Sequence, residues 1–234
     1  MKDSIRMNQA IVQSSDGITL VGGAPVSAAL FRTALQRAPV LVAADGGANR
    51  CLAQGLWPQA VIGDMDSLSD ATRAALPPER VHHIPEQDTT DFDKALRSLD
   101  APFVIALGFI GARVDHGLAV LTTLVRQHRS CVLLGSQDVV FHAPPRLQLD
   151  LRRGDRFSLF PMRPVRGTSH GLDWPIDGLD FAPHARVGTS NRVSDGPVRL
   201  SFSGPGMLCI LPRGRLDQVL TALASEARAD SLSR

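Results

Sequence analysis

An α/β region followed by a strand-rich region is the fold class that three features of this 234-residue sequence predict. From Ile18 to about Gly135, short apolar runs alternate with segments of helical period, the pattern of an open, mainly parallel sheet with helices on both faces. Beyond Asp138, nine prolines from Pro144 to Pro212 cut the chain into short segments, several of which alternate with period two. That pattern suits a small antiparallel β module. The length also accommodates two small domains with their own cores. The expected division is residues 1–142 for the α/β domain, 143–215 for the β domain and 216–234 for a C-terminal helix and tail.

The predicted strands of the first half are Ile18–Val21, Val40–Ala44, Ala60–Ile62, Arg80–Ile84, Phe103–Leu107 and Cys131–Leu134. Between them, Ser27–Arg37 places Leu30, Phe31, Ala34 and Leu35 on one helical face;. Asp115–His128 does the same with Leu118, Leu121, Thr122 and Val125. Ser69 reads as the N-cap of Asp70–Leu76, which Pro77 and Pro78 stop;. Thr90 likewise caps Asp91–Leu99;. In the second half, Arg199–Phe202 and Met207–Leu211 read as strands joined by the turn Ser203–Gly206;. Leu216–Arg228 is a last amphipathic helix before a polar tail.

Composition narrows the function classes. A formal net charge of +2 and the absence of a dense Lys/Arg block argue against nucleic-acid binding;. Cys51, Cys131 and Cys209 are far apart and odd in number, so neither a disulfide framework nor a Cys-x-x-Cys zinc site is expected. Buried small apolar residues are the alternative. The polar stretch Met1–Ala10 lacks an apolar signal core, and the apolar stretch Ala101–Gly111 is too short to span a bilayer;. The expectation is a cytoplasmic protein with no membrane partner.

Chemistry gathers where the strands end, which is where open α/β sheets bind ligands. Val40–Ala44 runs into Asp45-Gly46-Gly47, whose glycines permit close backbone approach and whose following helix offers N–H groups to an anion;. An ordinary βα turn is the competing reading. Ala60–Ile62 runs into Gly63-Asp64-Met65-Asp66. In extended geometry Asp64 and Asp66 point the same way and suit a hard cation such as Mg²⁺; solvated turn aspartates are the alternative. Glu86 to Lys94 is acid-rich around a helix start, with Lys94 one turn after Thr90 and Asp91 and able to reach a phosphate, or simply to pair with Asp91;. Phe103–Leu107 leads into Gly108-Phe109-Ile110-Gly111-Ala112-Arg113-Val114-Asp115-His116, where Arg113 and Asp115 suggest anion and metal or hydroxyl contact;. His116 is a candidate phosphate contact or a structural first-turn histidine. Four such clusters in order suggest a Mg²⁺-dependent nucleotide site, although neither a P-loop nor a Gly-x-Gly-x-x-Gly is present;.

In this order, Ala44–Arg50, Gly63–Ser67, Gln87–Lys94 and Gly108–His116 resemble the motifs of the thiamine pyrophosphokinase family. Gly171-Leu172-Asp173-Trp174-Pro175 and Gly188-Thr189-Ser190-Asn191 resemble that family's thiamine-binding β domain. The resemblance covers roughly Ile18–Pro212. It implies an α/β catalytic domain, a β-sandwich, and a homodimer with the active site at the subunit interface. It also implies pyrophosphoryl transfer from ATP to the thiamine hydroxyl with release of AMP. By the same resemblance, Asp64, Asp66 and Asp91 hold Mg²⁺ and the triphosphate, with Asp88 in support. Gln87, Thr90, Lys94, Arg113 and Asp115 contact phosphate or the reacting hydroxyl, Trp174 packs on a thiamine ring, and Ser190 and Asn191 bind the aminopyrimidine. Gln59, Met65 and Ala112 depart from the usual family pattern without removing a carboxylate.

Three other readings compete. One is the same chemistry on another hydroxymethyl heterocycle such as a pterin. A second is a haloacid-dehalogenase-like phosphatase, whose nucleophile motif Asp64-Met65-Asp66 mimics but whose following residues Ser67-Leu68 do not. The third is a non-catalytic thiamine or nucleotide sensor, against which the full set of site carboxylates speaks.

Overall fold

The computed structural model describes residues 10–232 except 112 and 128, so most of the Met1–Ala10 stretch and the Ala112 departure lie outside the described residues. The chain forms a mixed α/β fold of two compact units, Met1–Ala112 and Arg113–Arg234.

In the first unit the order is β1 (Val12–Gln13), β2 (Ile18–Val21), α1 (Ala28–Leu35), β3 (Val40–Ala44), α2 (Gly47–Leu52) and β4 (Ala60–Gly63). These are followed by α3 (Asp70–Ala75), β5 (Val81–His83), α4 (Asp91–Arg97), β6 (Leu99–Asp100) and β7 (Val104–Leu107). Strands pair in parallel in the order β7-β2-β3-β4-β5. The chain therefore builds outward from β2 to β5 and then returns to the other side of β2, the kind of reversal beside which open α/β sheets bind ligands at their C-terminal strand ends. β3, β4 and β7 are continuous apolar runs because a parallel strand inside the sheet is covered on both faces, whereas the edge strand β5 is Val-His-His;. Ile18, Leu20, Ile62, Ile105 and Leu107 are fully buried, as is Leu96 of α4.

Helix starts follow local chemistry. Ser27, Ser69 and Thr90 each accept, through the side-chain oxygen, a backbone N–H three residues on, satisfying one of the donors a helix start leaves unpaired. At the start of α2, a Cβ on Gly47 would lie 2.0 Å from the Val21 carbonyl oxygen. Only glycine lets that helix begin against the end of β2. β1 and β6 pair as a short parallel ribbon that the hydrophobic pattern does not reveal, each being only two residues long.

The second unit begins with α5 (Val114–Arg126) and continues with β8 (Cys131–Leu134), β9 (Asp138–His142), β10 (Arg146–Leu149), β11 (Arg156–Pro161), β12 (Val165–His170) and β13 (Asp180–Phe181). It ends with β14 (Gly188–Arg192), β15 (Val198–Phe202), β16 (Met207–Pro212) and α6 (Leu216–Leu232). One antiparallel set runs β14-β11-β16-β9-β8 and the other β10-β15-β12-β13.

One expectation changes here, for β15 and β16. Cys131–Leu134 is a strand where its apolar run predicts one, and it pairs antiparallel with β9 through Val132↔Phe141 and Leu134↔Val139. The three-residue link Gly135–Gln137 is far too short for a parallel crossover;. β15 and β16, read as strands joined by one turn, lie in different antiparallel sets. Ser203–Gly206 passes the chain from one to the other.

Phe141, Phe157 and Leu149 anchor the core of this unit. All three cysteines are free and buried, and burial pushes the Cys51 thiol up to about 12, as suits small apolar core residues. Among the described residues, no helix is long and apolar enough to cross a membrane.

Candidate active site

The first unit brings three carboxylates from distant parts of the sequence to one point. Asp45, Asp64 and Asp91 each offer an oxygen, and these atoms lie within 4.8 Å of one another. Asp45 directly follows β3 in the left-handed region, at φ 42°. Its N–H donates to the Ile62 carbonyl oxygen at 3.0 Å, and its Oδ2 accepts the Ser67 N–H at 3.2 Å. Asp64 follows Gly63, the last residue of β4. A Cβ at Gly63 would stand 2.9 Å from Asp45 Cβ and 3.0 Å from Asp91 Oδ1, so the missing side chain is the space in which these acids approach. Asp91 opens α4 immediately after its Thr90 cap.

Lys94, one turn into α4, closes the cluster. Its Nζ donates to Asp64 Oδ2 at 2.7 Å and to Asp91 Oδ1 at 3.2 Å, and its side chain is only 1% exposed. Such burial is found for lysine almost only when it is paired. Burial by itself lowers the ammonium pKa, but the hydrogen bonds to Asp64 and Asp91 outweigh it and hold it above its ordinary value. The same Lys94 bond holds the Asp64 carboxyl below its usual range.

Asp45 is different. Burial first, and the charge of Asp91 second, push its carboxyl up to about 6. Its Oδ1 is buried with no hydrogen-bond partner among the described residues. A buried carboxylate oxygen aimed at two further acids is the donor chemistry of a hard divalent cation, so these residues fit one.

The other sequence-predicted site residues divide into three groups. Asp66 does not join the three acids. Met65 adopts a left-handed φ of 65°, which breaks the strand alternation expected to align Asp64 with Asp66. Asp66 is exposed and instead accepts a hydrogen bond from Ser67 Oγ at 2.8 Å. Gly46 and Gly47 are buried at the start of α2, while Gln87, Asp88 and Thr90 are exposed on the segment leading into α4.

Arg113, Asp115 and His116 belong to the second unit and are exposed. Arg113 donates to Asp115 from Nη2 at 2.7 Å and from Nε at 3.3 Å, and this guanidinium holds the Asp115 carboxyl down at about 2.

In the same unit, the 57% exposed Trp174 is held by its backbone. Asn191, nearly fully buried, accepts the Trp174 N–H at 3.2 Å and the Arg192 N–H at 2.8 Å, and donates from Nδ2 to the Trp174 carbonyl at 2.7 Å. Arg192 lies 5.9 Å from the indole centroid and is ion-paired to Asp173, within cation–π range. Ser190 is exposed at φ 62°, with its N–H bonded to Ser158 Oγ at 3.0 Å.

Asp45, which the sequence groups with Gly46 and Gly47 at a candidate phosphate-binding turn, stands in the structure among the three acids. Its position directly after the apolar run of β3 is the signal that could have found it.

A family model described as "Thiamin pyrophosphokinase, catalytic domain" matches residues 31–134. Thiamin pyrophosphokinase 1 of Caenorhabditis elegans is 27% identical over 190 residues, covering 71% of this chain and 76% of that protein. Thiamine pyrophosphokinase 1 of Oryza sativa subsp. japonica is 27% identical over 200 residues, covering 70% and 76%. Among solved structures, thiamin pyrophosphokinase from Candida albicans superposes with a TM-score of 0.71 over 86% of this chain and 93% of that one, at 15% identity; at that identity the likeness speaks for the fold. Motif order and these similarities agree in likening the chain to thiamine pyrophosphokinases, with the catalytic-domain likeness confined to residues 31–134.

Proposed function

We propose that this protein transfers a pyrophosphoryl group from ATP to the hydroxyl of thiamine, giving thiamine pyrophosphate and AMP. The convergence of Asp45, Asp64 and Asp91 beside the buried Lys94 is the observation that carries the reading. Attack of a primary alcohol on a phosphorus of ATP depends mainly on positioning and on neutralising triphosphate charge. Mg²⁺, when bound by Asp64, Asp91 and the otherwise unpartnered oxygen of Asp45, would supply that neutralisation. Lys94 holds two of these acids in one geometry before any ligand arrives. Gly46 and Gly47, buried at the start of α2, stay in the proposal as phosphate contacts on the family resemblance.

Asp66, Gln87, Asp88, Thr90, Arg113, Asp115 and His116 stay in the proposal as contacts to metal, phosphate or the reacting hydroxyl, supported by the family resemblance. The second unit, with its two antiparallel sets of strands, is read as the β-sandwich that receives thiamine. The exposed indole of Trp174 suits a cationic heteroaromatic ring, with Asn191 hydrogen-bonded to its backbone and Ser190 next to Asn191 in sequence. A cytoplasmic homodimer sharing its active site between subunits belongs to the same reading.

Incubation of the purified protein with ATP, Mg²⁺ and thiamine tests it. AMP should appear in proportion to thiamine. Absence of AMP above a control lacking thiamine rejects the proposal, and ADP in its place identifies simple phosphoryl transfer.

A further inference from the structure

The segment entering α4 is held by an ion-pair network that neither the family motifs nor the cluster of acids accounts for. Ile84 is pinned to the end of β4, its N–H donating to the Gly63 carbonyl at 2.7 Å, and Thr90 is pinned as the cap of α4. Between them, Glu86 takes a two-pronged bond from Arg97, Nη1 to Oε1 at 2.8 Å and Nη2 to Oε2 at 2.7 Å. Glu86 Oε1 also accepts the Thr89 hydroxyl. Arg97 reaches the buried Asp93 as well, at 3.4 Å.

Most surface ion pairs hold nothing in place, because long side chains lose entropy and water screens the charges. This one is bidentate, its arginine is 23% exposed, and its third member Asp93 is 3% exposed. Geometry of that kind specifies position. Arg97 lies one turn beyond Lys94. α4 thus carries two networks in succession, one drawing Asp64 and Asp91 together and one drawing Glu86 back onto the helix.

We propose that Glu86 and Arg97 are positioning residues for nucleotide binding: their clasp fixes the exposed Gln87-Asp88 segment at the entrance to α4, so that it meets the triphosphate of Mg-ATP in a preformed conformation. The assignment rests on the reading of ATP as donor. It confines the effect to the nucleotide, because the clasp orders a segment adjoining Asp91 within the first unit.

The test uses the full chain with Glu86→Gln, Arg97→Lys and the double variant. Both substitutions preserve size, and each removes the two-pronged charged pair. Mg-ATP affinity is measured by calorimetry without thiamine, and steady-state KM values are measured for both substrates.

Each single variant should bind Mg-ATP about tenfold more weakly, the order expected for loss of a charge-assisted contact. The double variant should be no weaker than the worse single, since the two residues act as one unit. The thiamine KM and the far-ultraviolet spectrum should be unchanged. Mg-ATP affinity within twofold of the parent for Glu86→Gln overturns the proposal, as does an equal rise in both KM values or multiplication of the two effects in the double variant. A parent protein that binds Mg-ATP but forms no AMP contradicts the proposed reaction and leaves the binding test of the clasp intact.

Discussion

The carboxylate cluster of the first unit and the indole platform of the second solve opposite problems. Asp45, Asp64 and Asp91 must be held together against their mutual repulsion. The fold does this with buried backbone, a glycine where a Cβ would collide, left-handed turns at Asp45 and Met65, and a lysine 1% exposed. Trp174 must instead be held out in solvent, and Asn191 does so by gripping its backbone N–H and carbonyl while leaving the indole 57% exposed. The lesson is that like charges demand a rigid, buried scaffold, because desolvation and repulsion both oppose the assembly. An aromatic contact surface needs only a fixed anchor, because its attraction for a flat cation comes from the ring face.

The sharpest way to break this comparison is Asp64→Asn. If the cluster is the chemical centre, kcat for AMP formation falls about 100- to 1,000-fold. The fold should stay intact with a lower melting temperature, since the buried Lys94 keeps only Asp91 as a charged partner;. Full activity in that variant removes Asp64 from the centre.

On the other side, Trp174→Ala should raise the thiamine KM about tenfold, the scale of one desolvated cation–aromatic contact. The ATP KM and kcat should hold within twofold. Asn191→Ala should raise the same KM and in addition destabilise the fold by about 1–3 kcal/mol, because buried backbone groups lose their partners. An unchanged thiamine KM in both variants makes the indole a structural surface group.

The mildest effect is in pH. Asp45 has its carboxyl raised from 3.8 to about 6, so between those values the folded state keeps a proton that the unfolded state has released. Its contribution to stability therefore declines as pH rises across that window. Asp64, held low by Lys94, loses its contribution only as pH falls below the ordinary carboxylate range. A divalent cation favours the ionised form of Asp45, and the rise in melting temperature on adding Mg²⁺ should grow as pH passes 6. Melting curves from pH 4.5 to 7.5, with and without Mg²⁺, check this. A Mg²⁺ effect independent of pH in the parent, or one with the same pH dependence in Asp45→Asn, contradicts it.

Much of the scaffold was legible because its causes are local. The apolar runs Ile18–Val21, Val40–Ala44 and Ala60–Ile62 are parallel strands, and Ser27, Ser69 and Thr90 are caps where short hydroxyl side chains precede helical segments. What misled was geometry set by one residue or by a partner strand. Asp64 and Asp66 alternate only if the residue between them is extended, and Met65 is not. Met207–Leu211 was recognisable as a strand, but its neighbours are β9 and β11 rather than the strand just before it.

The sequence by itself determined which chemical groups stand at the ends of which strands, because periodicity and punctuation by glycine, proline and capping residues act over a few neighbours. Only the tertiary structure decided that Asp45 rather than Asp66 joins Asp64 and Asp91, that Lys94 is buried between two of them, and that Arg97 fastens Glu86. These are contacts between residues far apart in the chain or re-aimed by a single left-handed turn. Their energies arise from burial and charge proximity, which exist only once the strands have paired.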